Sequence, residues 1–331
     1  MDDEAGMARA IELAASVRAW AHPNPWVGAV LDTGAEGATQ RPGAGGHGRH
    51  AEAVALDEAG RDAEAATLYV TLEPCVAFDG KRTPPCAQRI IDAGVRRVVV
   101  GIEDGDPRVQ GRGIDALRAA GVDVEVGVLA DDITTQLRPY LHHRTTGRPF
   151  VVLKLAATLD GRTAAPDGTS QWITGVAARK DAHRLRAESD AVLVGAGTVR
   201  ADDPALTVRL VDGPDPRRVV LGRAPDNAKV RPCDEVEGDV ADVLARLGSE
   251  GVLQVLVEGG ASVAGELHRR GLVDRYVVYL APALFGGDDA LGLFSGAGAS
   301  TIGGVWRGRI VDIARVGDDL RVELEPEQER A

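Results

Sequence analysis

Apolar residues at Met7, Ala10, Ile11, Ala14 and Val17 recur every three or four positions and predict a helix over residues 7–19. The short apolar runs Val27 to Leu31, Thr67 to Leu72 and Val95 to Ile102 predict strands, Gly113 to Ala120 a second helix, and Val122 to Val128 a further strand. This alternation predicts a layered α/β unit. Within it, the glycine-rich loop from Gly34 to Gly48 reads as a flexible cover that delivers the chain to His50. The polar stretch Asp131 to Arg148, ending in Thr145-Thr146-Gly147-Arg148-Pro149, reads as a connection, which places domain boundaries at residues 1–147 and 148–331. Phe150 to Leu155 opens the second domain as a strand. Ala191 to Val194, Arg218 to Leu221, Val252 to Val257 and Arg275 to Leu280 continue the α/β alternation. Ile310 to Val316 and Asp319 to Leu324, joined by Gly317-Asp318, predict a terminal hairpin. The halves share no motif, so no internal repeat is expected.

Composition narrows the class of molecule. A chain of 331 residues suffices for two domains with separate cores. Three cysteines cannot form a disulfide framework, and Cys233 stands apart in a polar, proline-containing segment, so a reducing, cytoplasmic setting is expected. Met1-Asp2-Asp3-Glu4 lacks the basic start of a signal peptide, and no apolar run approaches the ~20 residues of a membrane span, so no membrane partner is expected. Residues 1–147 carry 15 Lys+Arg against 22 Asp+Glu, and residues 148–331 carry 23 against 28, giving −7 and −5. Acidic halves lack the basic track that a phosphate backbone demands, which argues against a nucleic-acid partner and for a small substrate.

The candidate chemistry begins with His50-Ala51-Glu52, Pro74-Cys75 and Pro85-Cys86. One imidazole and two thiolates suit a zinc ion whose fourth position stays open, because this ligand set leaves the metal electrophilic enough to bring water toward a pKa of about 7. Glu52 is too close to His50 for both to ligate comfortably and is assigned the carriage of protons. Cys86 precedes the helix-like run to Ala93, and a helix start favours the thiolate. A histidine, two cysteines and a glutamate in this arrangement are the equipment of a zinc-dependent deaminase.

In the second half, Lys154 is one of four lysines among 38 basic residues and interrupts the apolar strand Val151-Val152-Leu153-Lys154-Leu155. Such a lysine needs a partner, and Glu258, at the end of Val255-Leu256-Val257, is the natural candidate. Gly195-Ala196-Gly197-Thr198 and Glu258-Gly259-Gly260-Ala261-Ser262 each follow a predicted strand and open a predicted helix, which exposes backbone N–H groups to phosphate. Neither is a G-x-G-x-x-G fingerprint, so a Rossmann domain is not indicated.

These motifs are joined by His22-Pro23-Asn24-Pro25-x-Val27-Gly28, Thr71-Leu72-Glu73-Pro74-Cys75 and Arg82-Thr83-Pro84-Pro85-Cys86. Further along stand Lys154-Leu155-x-x-Thr158-Leu159-Asp160-Gly161-Arg162, Ser170-Gln171-Trp172-Ile173-Thr174, Arg200 to Arg209 and Glu258-Gly259-Gly260. In this order the chain resembles the bifunctional riboflavin biosynthesis enzymes that join a diaminohydroxyphosphoribosylaminopyrimidine deaminase to a 5-amino-6-(5-phosphoribosylamino)uracil reductase. The resemblance implies a cytidine-deaminase-like three-layer first domain and a dihydrofolate-reductase-like α/β second domain. It implies one Zn2+ on His50, Cys75 and Cys86, proton transfer by Glu52, and a role for Asn24 in fixing the pyrimidine. For the second domain it implies Lys154 and Glu258 in the reductase pocket, with Ser170, Arg186, Leu206 and Arg209 joining Glu258 on the substrate. It assigns Ala156, Trp172, Thr198, Asp202 and the stretch with Gly260, Ala261 and Ser262 to NADPH. Many relatives have Asp-Ser after the third strand; here Arg223 stands beyond Arg218 to Leu221 and is expected to hold the cofactor's 2′-phosphate. The resemblance also implies a phosphoribosylaminopyrimidine substrate and a homo-oligomer, with a dimer as the leading form. Between Cys75 and Cys86 this chain has ten residues and no histidine, a longer interval than is usual in such enzymes. Two other readings stay open: a deaminase of another small pyrimidine or of nucleic acid with an appended reductase-like half, and a lapsed deaminase half kept as a scaffold for an active reductase.

Overall fold

The computed structural model describes residues 1–43, 48–81 and 83–327, and the chain divides into two units, Met1–Gly147 and Arg148–Ala331. Residues 44–47 of the glycine-rich loop and Arg82 of the second cysteine motif lie outside the described residues. The first unit runs α1 (Asp3–Ala21), β1 (Gly28–Leu31), β2 (Glu36–Ala38), α2 (Ala51–Ala59), β3 (Thr67–Leu72), α3 (Cys86–Asp92), β4 (Arg97–Ile102), α4 (Arg112–Ala119), β5 (Asp123–Val126), α5 (Ala130–Gln136) and α6 (Arg138–Thr146). Helix α1 starts earlier than its apolar spacing predicts because the Asp2 carboxylate accepts the Ala5 N–H at 2.7 Å, with Asp3 and Glu4 in the first turn.

The five strands are ordered β2-β1-β3-β4-β5, with β3, β4 and β5 parallel and β1 antiparallel to both neighbours. Glycine lets helices approach this sheet from both sides. A Cβ on Gly28 would meet the Ala10 carbonyl oxygen at 1.9 Å, and one on Gly37 would meet the Ala51 carbonyl oxygen at 2.2 Å. Gly37 pairs with Ala29, whose side chain points opposite to that of Gly28, so α1 and α2 cover opposite faces and the unit has three layers. The loop from Gly34 contains strand β2, which alternation over three residues is too short to reveal. The stretch expected as a connection is instead helical. Ile133 of α5, Leu137 between the two helices and Tyr140 of α6 are buried, and three apolar residues at spacings of four and three suffice to dock an otherwise polar segment.

The second unit runs β6 (Phe150–Thr158), β7 (Arg162–Ala164), α7 (Val176–Ala187), β8 (Ala191–Gly195), α8 (Ala196–Asp202), β9 (Arg217–Leu221), β10 (Asp234–Val236), α9 (Val240–Ser249), β11 (Gln254–Val257), α10 (Ala261–Arg269), β12 (Arg275–Ala281), β13 (Leu291–Gly292), β14 (Gly308–Val316) and β15 (Asp319–Pro326). Its main sheet has the order β10-β9-β8-β11-β6-β12-β15-β14; the first six strands are parallel and the last two form the antiparallel hairpin. Successive residues of β6 feed different cores. Val151, Leu153 and Leu155 pack with the apolar faces of α9 and α10, while Phe150 and Val152 pack with Ala178 and Leu185 of α7. Covering both faces explains the unbroken burial along β8 and β11.

Gly28→Ala is expected to destabilise the protein by about 1–3 kcal/mol, because its methyl must displace the backbone of α1. Thermal unfolding of the full chain measures this, and an unchanged midpoint would contradict the close approach of α1 and β1.

Candidate functional site

His50 is the N-cap of α2, Cys75 lies just beyond β3, and Cys86 opens α3. Their ligand atoms lie within 4.8 Å of one another. The His50 Nδ1 stands 3.5 Å from Cys75 Sγ and 3.3 Å from Cys86 Sγ. Tetrahedral zinc, with bonds of about 2.3 Å to sulfur and about 2.0–2.1 Å to nitrogen, sets nitrogen and sulfur roughly 3.5 Å apart, so the donor set fits that ion. Nε2 of His50 is 3.3 Å from Thr83 Oγ1, which also receives Lys81 Nζ at 3.1 Å. With Nδ1 turned to both sulfurs, the ring proton belongs on Nε2, where Thr83 accepts it. The hydrogen bond with Cys86 draws the Cys75 thiol down to about 3 and holds Cys86 above its ordinary value. Burial presses the His50 imidazole down, but its hydrogen bond to Cys75 and the charge of Glu52 outweigh burial and leave it raised.

Glu52, in the first turn of α2, is buried, and burial raises its carboxyl. A cavity of about 310 Å³ opens over the cluster, lined among others by Asn24, His50, Glu52, Cys75 and Asp104. Glu73, whose contribution the sequence did not single out, anchors the wall. Its buried carboxylate accepts backbone N–H groups from Asp104 at 3.1 Å, Gly111 at 2.9 Å, Gly113 at 2.8 Å and Ile114 at 3.2 Å. Gly113 allows the approach, since a Cβ there would meet the Pro74 carbonyl oxygen at 2.0 Å.

In the second unit, Glu258 follows β11 and is gripped by Arg186 of α7 through Nε and, at 2.9 Å, Nη2. Lys154, on the face of β6 that meets α7, lies 4.0 Å from Glu258 Oε2. The sequence paired Lys154 with Glu258 alone; the closer partner of Glu258 is Arg186, 72 residues away from it along the chain. Burial pulls the Lys154 ammonium down, with Glu258 restoring part of the loss. Burial acts to raise Glu258, but the Arg186 charge and hydrogen bonds dominate and leave it lowered.

Around this cluster, Ser170 Oγ donates to Asp202 Oδ1 at 3.0 Å, and the Gly260 N–H donates to Thr198 Oγ1 at 2.9 Å. That second bond ties the first turn of α8 to the start of α10, where Ala261 is the first residue and Ser262 Oγ lies 3.1 Å from Ser295 Oγ. Ala156 lies on the same face of β6 as Lys154, opposite Tyr279. Leu206 is buried with a left-handed φ of +54°, a conformation that costs a leucine energy and persists only where packing enforces it. Next to it, the Thr207 carbonyl accepts Arg186 Nη1 at 3.2 Å, and Arg209 bonds to the Thr207 hydroxyl. His183, unremarkable in sequence, organises this loop: its Nδ1 accepts the Arg209 N–H at 2.9 Å, and its Nε2 is 3.4 Å from Arg186 Nη1. Burial, with the charges of Arg186 and Arg209, lowers His183 to about 4. Trp172 is 69% exposed, with the Arg179 guanidinium carbon 4.5 Å from its ring centre. Arg223 is also exposed and lies 3.5 Å from Glu237, beside a cavity of about 600 Å³ lined by Gly222, Glu237, Asp239, Ser262, Glu266 and Arg270.

Residues 1–102 match the family model for the cytidine and deoxycytidylate deaminase zinc-binding region, and residues 149–322 match the RibD C-terminal domain. The chain is 42% identical over 339 residues to the riboflavin biosynthesis protein RibD of Mycobacterium tuberculosis, covering 97% of this chain and 96% of that protein. Among solved structures, Acinetobacter baumannii RibD is 37% identical with a TM-score of 0.90, covering 98% of this chain and 99% of the other. The diaminohydroxyphosphoribosylaminopyrimidine deaminase/5-amino-6-(5-phosphoribosylamino)uracil reductase of Thermotoga maritima is 35% identical with a TM-score of 0.86, covering 98% of each chain.

The His183 environment predicts a pH dependence. The unfolded chain binds a proton on this ring below its ordinary value of 6.5, whereas the folded chain resists until about 4. Stability contributed by the neutral ring is therefore present above 6.5 and is lost as pH falls toward 4. His183→Gln keeps a neutral acceptor and should flatten that part of the stability profile, measured by thermal unfolding of both proteins from pH 7 to pH 4. Parallel profiles would contradict the assignment.

Proposed function

The chain belongs to the RibD family of riboflavin biosynthesis proteins, and from that premise we infer that residues 1–147 carry its deaminase activity and residues 148–331 its reductase activity. The protein is a bifunctional enzyme. It deaminates 2,5-diamino-6-(5-phosphoribosylamino)pyrimidin-4-one to 5-amino-6-(5-phosphoribosylamino)uracil and then reduces the ribosyl group to ribityl with NADPH. Its fold is α/β, with a cytidine-deaminase-like three-layer unit followed by a dihydrofolate-reductase-like one.

The observation that carries the deaminase reading is the convergence of His50 Nδ1 with two cysteine sulfurs beside the buried Glu52. His50, Cys75 and Cys86 would hold zinc, which lowers the pKa of water toward about 7. Glu52, whose burial raises its affinity for a proton, takes that proton from the attacking water and passes it toward the ring nitrogen and the departing amine. Asn24, on the cavity wall, orients the pyrimidine. Two thiolate ligands without a disulfide framework support a reducing, cytoplasmic setting.

In the second unit NADPH, when bound, would supply the hydride for the first ribose carbon. Lys154, whose lowered pKa eases proton release, gives up a proton from Nζ as the hydride arrives, while Glu258 holds its charge in place. Ser170, Arg186, Arg209 and the backbone at Leu206 take the substrate. The guanidinium groups suit its phosphate because they are planar and permanently charged. Ala156, Trp172, Thr198, Asp202, Gly260, Ala261 and Ser262 take the cofactor, with the start of α10 offering N–H groups to its phosphates. Exposed Leu284, Phe285, Phe294 and Ile302, together with Ile310 and Ile313 on edge strand β14, support a homo-oligomer, with a dimer as the simplest form. No helix among the described residues is long and apolar enough to cross a membrane.

About one zinc per chain is expected, and Glu52→Gln should retain the metal while slowing deamination by ~100-fold or more. Metal analysis with an ammonia-release assay measures both; deamination by metal-free protein would overturn the reading. A separate expectation concerns the 2′-phosphate. Arg223→Ala should raise the KM for NADPH roughly 10-fold and leave that for NADH nearly unchanged. Equal effects on both cofactors, or none, would remove Arg223 from the site.

A further inference from the structure

Three cations stand in the cavity of the first unit beside four carboxylates, Glu52, Glu73, Asp104 and Asp106. Lys81, between the two cysteines, Arg108, beyond β4, and Arg144, near the end of α6, all line it. The two arginines converge on one carboxylate. Arg108 grips Asp106 with Nε at 2.9 Å and Nη2 at 2.6 Å, and Arg144 Nε lies 4.0 Å from the same side chain. Aromatic rings fix both guanidinium planes. Arg108 lies 4.5 Å from the ring centre of Phe78, and Arg144 lies 4.9 Å from that of Tyr140, whose hydroxyl donates to Asp104 Oδ1 at 2.9 Å.

Asp106 is the one carboxylate of this wall that the two arginines share. Asp104 is committed to the Tyr140 hydroxyl and the Asp106 N–H, and burial raises its carboxyl. Nε of Arg144 is shielded from solvent and has no acceptor among the described residues. Two guanidinium groups held against a single carboxylate, one of them with an unused buried donor, form a preorganised seat for a dianion. The ten-residue interval between Cys75 and Cys86 supplies Phe78, the ring against which Arg108 lies.

We propose that Arg108 and Arg144 seat the phosphate of the phosphoribosylated pyrimidine in the deaminase unit and set its preference for that substrate over the free riboside. The proposal rests on the deaminase reading above. Its test uses the full-length, zinc-loaded protein and compares deamination of the phosphorylated diaminopyrimidine with that of its dephosphorylated riboside, with ribose 5-phosphate as competitor. In Arg108→Gln and Arg144→Met, the ratio of kcat/KM for the phosphorylated substrate over the riboside should fall at least roughly 10-fold, and inhibition by ribose 5-phosphate should weaken to a similar degree. Arg144→Lys, which keeps the charge, should retain most of the preference, and full zinc content in each variant reports an intact first unit. Equal losses on both substrates, or an unchanged ratio, would overturn the phosphate seat. Failure of the unaltered protein to deaminate the phosphorylated substrate would instead overturn the functional reading beneath it.

Discussion

A parallel strand covered on both faces can present chemistry most freely where it ends, and each unit of this protein obeys that constraint. In the first, Cys75 lies just past β3, and Asp104 and Asp106 lie just past β4. In the second, Thr198 follows β8 and Glu258 follows β11. The buried runs themselves carry almost no polar side chains, so the sheet acts as a rigid edge from which short loops project functional groups. Lys154 is the exception: it sits within β6 and depends on Glu258 and the nearby Arg186 pair for its electrostatic setting.

Rigidity at the first edge comes from Glu73. One carboxylate receiving four backbone N–H groups joins the residue before Pro74-Cys75 to the loop that carries Asp104 and to the start of α4. The segment carrying Cys75 is thereby tied to the far wall of the cavity. In the second unit, Arg186 plays the corresponding part by bonding both Glu258 and the Thr207 carbonyl, while His183 stays neutral so that its ring can accept from Arg209. An ammonium and a guanidinium sharing one carboxylate leave that region positive, which suits a phosphorylated substrate.

The strands of four or more residues and the histidine–cysteine–cysteine cluster were legible because they rest on local pattern and on ligand types with few other uses. Asp131 to Arg148 misled because three buried apolar residues among polar ones resemble a connection until the surface they dock on is known. Glu73 stands inside the Thr71-Leu72-Glu73-Pro74-Cys75 motif, yet its partners are backbone groups, which leave no trace in side-chain identity. The Arg186–Glu258 pair and the role of His183 depend on packing between distant segments, and an arginine-rich chain offers no means of telling a gripped arginine from a solvated one. Arg223 is conspicuous through its position after a strand, and it stands exposed beside Glu237.

The most direct measurement follows one sample through both reactions. The purified full-length protein is incubated with the diaminopyrimidine phosphate, first without and then with NADPH, while ammonia release and cofactor oxidation are recorded. The account predicts one equivalent of ammonia without cofactor, followed on addition of NADPH by one equivalent of oxidation and a ribityl product. Cofactor oxidation without prior ammonia release from that substrate, or ammonia release with no subsequent reduction, would contradict the assignment of two working sites.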